Sequence, residues 1–172
     1  GAVVRSVGSG RSAVDVGDSW RVTAAVVGKV AVGCPVLRPL GLSFCDRVTD
    51  GGLEQVAAGC PQRPSLDLCI CYNVTDAGLE KVAAGCPKLT SLNISNCYKV
   101  TDVGLEKVAV GCPNLASLDL SDCKNVTDAG REKVAAGCPK LTSRDRSDSF
   151  NATDAGLERA AAGGPNLAHG NL

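Results

Sequence analysis

The ten cysteines are the side chains of this chain best able to do chemistry, and nine of them stand in two regular columns. One column is Cys34, Cys60, Cys86, Cys112 and Cys138; the other is Cys45, Cys71, Cys97 and Cys123. Thiolates attack electrophiles, hold metals and pair as disulfides. A residue that returns at an apolar position of every repeat instead fills a hole in a packed stack, and a small thiol does that well. Free core cysteines in a reducing compartment, the cytosol or the nucleus, are therefore the expectation. Cys69 and Cys71 form a C-x-C pair, which in a strand would share one face, but no second pair completes a zinc site. No metal and no cofactor are expected. The single histidine, His169, has no acidic residue near it in sequence, and neither a phosphate loop nor a nucleophile elbow is present. The chain does not read as an enzyme.

The spacing behind the columns is 26 residues. Gly-Cys-Pro recurs at 33–35, 59–61, 85–87, 111–113 and 137–139, then decays to Gly163-Gly164-Pro165. Thr-Asp recurs at 49–50, 75–76, 101–102, 127–128 and 153–154. A fixed period of this length is the mark of a stacked solenoid. Within the unit, Leu92 and Ile94 are two apart, on one face of a short strand. Thr101 suits a helix N-cap, with Asp102 favourable at the positive helix end. Leu105, Val108, Ala109 and Cys112 then follow one helical face. Gly111 suits a left-handed C-cap, and Pro113 cannot continue the helix. The expected fold is an α/β solenoid of about six repeats, parallel strands on one side and helices on the other. Ordering each residue costs roughly 1–2 kcal/mol, so a lone repeat cannot fold and a stack can.

The whole chain, 1–172, is expected to be one solenoid. Residues 1–32 read as a degenerate N-terminal repeat, 33–128 as well-formed repeats and 129–172 as degenerate C-terminal ones. The decay is carried by Arg131 at a leucine position, by Arg144 and Arg146 where Leu92 and Ile94 stand, and by Ser149 in place of a column cysteine. Burying an unpaired charge costs several kcal/mol, so these repeats should be loosened or turn the arginines to water. Arg63, at the Leu89 position, is a milder form of the same defect. Net charge is zero, so no global field draws the chain to nucleic acid or to a membrane surface. No apolar run reaches the roughly 18 residues of a spanning helix, and no signal pattern opens the chain. The absence of methionine makes it read as a fragment or a processed piece.

The phrase Cys-Pro-x-Leu-x-x-Leu-x-Leu/Ile-Ser-x-Cys-x-x-Val-Thr-Asp-x-Gly-Leu resembles the cysteine-containing leucine-rich repeat, closely over 33–128 and loosely over most of the rest. The resemblance implies a horseshoe-shaped, right-handed solenoid with strands on the concave side and helices on the convex side. The family is best known from F-box proteins, where it selects substrates for cullin-type ubiquitin ligases. It therefore implies a scaffold for a protein or peptide partner, substrate recognition for such a ligase being its most specific form. The alternative is a secreted or cell-surface recognition module without a ligase role, which would pair its cysteines.

Two surfaces are candidates for the partner. The stronger is the column one residue past the cysteine: Trp20, Asp46, Tyr72, Tyr98, Lys124 and Phe150. Four of the chain's five aromatics stand there, and Lys99 stands in the next column. Aromatic rings interleaved with basic residues can hold a peptide or an anionic ligand, or the rings can stack and seal the rim of the solenoid. The weaker surface is the strip of concave residues Asp67, Asn93, Asp119 and Asp145, a small and mildly acidic set that curvature alone would also favour. On the helices, Glu106 and Lys107 and their copies are adjacent charges that do not face each other within a helix, so a solvated outer face is expected.

Overall fold

The structure, a computed structural model, describes residues 14–15, 23, 28 and 39–145. Among them are strands β1 (Val14–Asp15), β2 (Pro39–Gly41), β3 (Ser65–Asp67), β4 (Ser91–Asn93), β5 (Ser117–Asp119) and β6 (Ser143–Asp145). Helices α1 (Asp50–Gly59), α2 (Asp76–Gly85), α3 (Asp102–Gly111) and α4 (Asp128–Gly137) alternate with strands β2 to β6. The strands form one parallel sheet in sequence order, and each residue pairs with the one a period away: Leu66 with Leu92, Leu92 with Leu118. The fold is a leucine-rich-repeat solenoid.

The described coils from β2 to α4 share one inward set, with Arg131 in place of a leucine in the last. In the coil of β3 and α2 these are Leu66, Leu68, Cys71, Val74, Leu79, Val82 and Cys86, all 1% exposed or less. Burying one such aliphatic side chain contributes roughly 1.5–3 kcal/mol. Thr75, Thr101 and Thr127 cap the helices as expected, each hydroxyl accepting from the backbone N–H two residues on. The aspartate after each threonine does more than complement the helix dipole. Asp76 accepts from both the backbone N–H (2.8 Å) and the hydroxyl (2.7 Å) of Thr101, the N-cap of the following coil. Asp50 and Asp102 treat Thr75 and Thr127 alike. The glycine of Thr-Asp-x-Gly makes room for this: a Cβ on Gly104 would collide with the Asp76 carboxylate.

The C-cap expectation is corrected. Gly111 is the last helical residue, not a left-handed cap; Cys112 caps α3, its N–H donating to the Val108 carbonyl. Glycine is needed at 111 because a Cβ there would sit 2.6 Å from the Ala83 carbonyl carbon of the preceding helix. Arg131 does not break α4. The helix runs through Gly137 with Arg131, Val134 and Ala135 buried, and β6 pairs in register with β5. The side chain of Arg144 and all of Arg146 lie outside the described residues.

After each of strands β2 to β5 the chain turns through a left-handed residue: Phe44 (φ 62°), Ile70 (60°), Asn96 (60°) and Asp122 (56°). Asn and Asp tolerate this conformation; a β-branched residue there is strained. Ile70→Asn should therefore raise the free energy of unfolding by about 1 kcal/mol, which denaturant melts of the two proteins would measure. A loss of stability would mean that the half-buried Ile70 side chain contributes more packing than the backbone strain costs.

Candidate protein-binding rim

The turns that follow the strands form one rim of the solenoid, and the cysteine column anchors them from beneath. The Cys71 thiol donates to the Leu42 carbonyl (3.1 Å), Cys97 to Leu68 (3.2 Å) and Cys123 to Ile94 (3.1 Å), each reaching the preceding coil. The second column behaves likewise: Cys138 donates to the Cys112 carbonyl at 3.4 Å. None of the nine cysteines described is in a disulfide; eight are buried and Cys69 is half-exposed. Cys69 and Cys71 thus do not share a face. Burial pushes the Cys71 and Cys112 thiols up to about 12, and Cys86, Cys123 and Cys138 up to about 11. Burial also raises Cys97, with the neighbouring column thiols adding to the shift. Buried, neutral thiols of this kind are inert.

Above these anchors Tyr72 and Tyr98 stack with ring centroids 5.4 Å apart and planes 13° apart. The Lys124 ammonium lies 5.1 Å from the centroid of Tyr98. The Tyr98 hydroxyl donates to Asn96 Oδ1 (2.9 Å), which fixes the ring, and Lys99 Nζ donates to Asn73 Oδ1 (2.8 Å). The next column ties the coils together: Asn73 Nδ2 donates to the Asp46 carbonyl and Asn125 Nδ2 to the Tyr98 carbonyl, both at 2.6 Å. Four of the rim residues expected from the sequence, Tyr72, Tyr98, Lys99 and Lys124, are thereby brought together. Trp20 and Phe150 lie outside the described residues. Stacking and exposure coexist here, for Tyr72 stays 40% and Tyr98 36% exposed.

The strand-face strip has a structural task that its sequence does not reveal. Asp67 Oδ1 accepts from the Cys69 N–H, while Asn93 and Asp119 accept from both the N–H and the hydroxyl of Ser95 and Ser121. Each is half-buried and shapes the turn two residues on. Asp145 stands in β6 at the register of Asp119. On the helix side, the acidic and basic residues meet across coils: Lys81 with Glu54 and Lys107 with Glu80 at 3.1 Å, and Lys133 with Glu106 at 2.5 Å. Such exposed pairs contribute little. Sequence adjacency hid them, because the partners are 27 residues apart. A shallow cleft of about 310 Å³ between α2 and α3, lined by Ala84, Lys107 and Val110 among others, holds no group beyond these pairs that could do chemistry.

Sequence and structure comparisons agree with this architecture. The family model described as "Leucine Rich repeat" matches residues 85–109 and 111–135. No curated protein matches the chain significantly. Among solved structures, a chain of the yeast Rad7–Elc1 complex superposes with a TM-score of 0.65 at 19% identity, covering 86% of this chain and 44% of its own. The tropomodulin C-terminal domain of Caenorhabditis elegans gives 0.61 at 11% identity, covering 83% and 91%. The leucine-rich-repeat-containing protein LegL7 of Legionella pneumophila gives 0.53 at 21% identity, covering 83% and 49%. The chain thus spans less than half the length of the Rad7–Elc1 chain it resembles. By its repeat pattern, its coil geometry and these matches, the chain is a leucine-rich-repeat solenoid, and its repeats resemble the cysteine-containing leucine-rich repeats of F-box proteins.

Proposed function

We propose that the chain is a protein-interaction scaffold of the cytosol or nucleus, and in its most specific form the substrate-recognition repeat region of an F-box-type ubiquitin ligase subunit. The rim carries this reading. Two stacked tyrosines and two lysines are gathered on one edge, exposed, where folding of the repeat asks only for the cysteine beneath. Tyrosine is among the residues that dominate protein interfaces. The likeness to a chain crystallised in the Rad7–Elc1 complex favours a protein partner over a small molecule, and the neutral buried thiols favour a reducing compartment.

The test compares two double variants in cells by proximity labelling. Tyr72→Ala with Tyr98→Ala should lose a protein that the wild type retains, weakening its binding by about 2 kcal/mol or more. The same change should lower stability by only about 1 kcal/mol, the worth of an exposed aromatic pair. Asp67→Asn with Asp119→Asn should keep the partner. Loss of the partner from the aspartate pair alone would overturn the rim as the binding surface. For the ligase role, ubiquitination of that partner should rise with the wild-type protein and not with the tyrosine pair. An unchanged level would leave a scaffold without a ligase role.

A further inference from the structure

Phe44 and Ile70 are costly choices for their positions. Both sit at left-handed backbone angles where the same column later uses Asn96 and Asp122. Phe44 is also 49% exposed, so its ring is not repaid by burial. Strained residues and exposed apolar side chains that folding does not require gather where a protein binds. In the coil of Tyr98 the side chain of this column reaches the ring two residues on, as the Tyr98–Asn96 bond shows. In the same columns Phe44 stands two residues before Asp46, and Ile70 two residues before Tyr72.

The two ends of the tyrosine stack differ. On the far side of Tyr98, the following coil lays Lys124 over the ring. On the far side of Tyr72 the preceding coil offers Asp46, held against the Tyr72–Asn73 turn by the Asn73 amide on its carbonyl. Among the described residues no ring or cation covers that face of Tyr72. An aspartate is too short to cover a tyrosine ring, and its carboxylate is exposed. An open aromatic face beside a carboxylate is the complement of a flat cation with an aliphatic stem: the carboxylate accepts from a guanidinium, the ring attracts it, and the stem lies on apolar surface.

From this arrangement we infer that the outer face of Tyr72, Asp46 and Phe44 together form a seat for an arginine side chain of the protein partner. The Lys124–Tyr98 contact is the same interaction made internally. Arg47, exposed beside Asp46, adds a like charge to the edge of the seat and favours partners that bring a single arginine rather than a basic run. The proposal rests on the rim being the binding surface, and its test separates the two claims.

The probes are blocked tripeptides, acetyl-Gly-Xaa-Gly-amide, with Arg, Lys, citrulline or Glu at the centre, titrated into the full chain and followed by NMR. The arginine peptide should shift the Tyr72 ring and the Asp46 amide saturably. Citrulline, which keeps the shape without the charge, should bind about three- to tenfold more weakly. Asp46→Asn and Tyr72→Leu should each weaken the arginine peptide by a similar factor while the amide spectrum stays folded, and Tyr72→Phe should retain it. Preference for the glutamate peptide, with shifts at Lys99 and Lys124, would overturn the arginine seat and leave the rim standing. Shifts confined to Asp67 and Asp119 would overturn both. Equal binding of arginine and citrulline would also sink the proposal, since no cation would then be recognised.

Discussion

Above pH 9 the protein should lose stability steeply and unfold near pH ~10. Six thiols, those of Cys71, Cys86, Cys97, Cys112, Cys123 and Cys138, have folded-state values raised from 9.0, chiefly by burial. The unfolded chain releases these protons from pH 9 upward, while the folded chain holds them until about 11 or beyond. The native state therefore binds more protons in this window, and stability falls as pH rises. The contribution is fully present below pH 9. By pH 10 each thiol has cost about 1.4 kcal/mol, and six together about 8. A typical domain has about 5–15 kcal/mol to lose. Circular dichroism against pH checks the midpoint. Denaturant melts of Cys97→Ala between pH 9 and 10 check the cause, because removing one thiol should reduce the slope by about 1 kcal/mol per unit. A wild-type chain still folded at pH 11.5 would mean that the thiols ionise without opening the stack.

Arg63→Leu should raise the free energy of unfolding by about 3 kcal/mol. Leu89, Leu115 and Leu141 fill the same place in the later coils, all buried. Arg63 is 1% exposed there, and its Nε, Nη1 and Nη2 have no hydrogen-bond partner among the described residues. A buried, unpartnered cation is among the most expensive groups a core can hold, and leucine would remove it without leaving a hole. A second readout is local. The Arg63 charge lowers the pKa of Cys86 against the larger effect of burial, so the leucine variant should make the Cys86 thiol still harder to ionise. Alkylation rates of Cys86 against pH would follow it. Unchanged stability would mean that the guanidinium reaches water through local opening.

The repeat made much of this fold legible. Because adjacent coils pair at the sequence period, the 26-residue spacing alone aligns Leu66 with Leu92 and Leu92 with Leu118. The inward leucines and cysteines followed from the same alignment. What stayed hidden were bonds between coils. Asp76 looked like a helix-dipole residue, yet its carboxylate holds Thr101 of the next coil. In a perfect repeat, a residue that bonds within its unit and one that bonds to the neighbouring unit have the same sequence signature. The same ambiguity hid the Lys107–Glu80 contact. Gly111 resembled a cap because glycine serves both left-handed turns and close helix approach, and only the position of Ala83 tells them apart. The strain at Ile70 was invisible because isoleucine is an unexpected residue at a positive φ. At the rim, composition alone located the aromatic column; it could not say that Lys124 would cover one end of the tyrosine stack and leave Asp46 beside the other.

The claim that the rim is the working surface is tested most directly by site-specific photocrosslinking in cells. A benzoylphenylalanine placed at Tyr72 should capture a protein partner, and the same residue placed at Asp119 on the strand face should not. Capture from position 119 with none from position 72 would contradict the account.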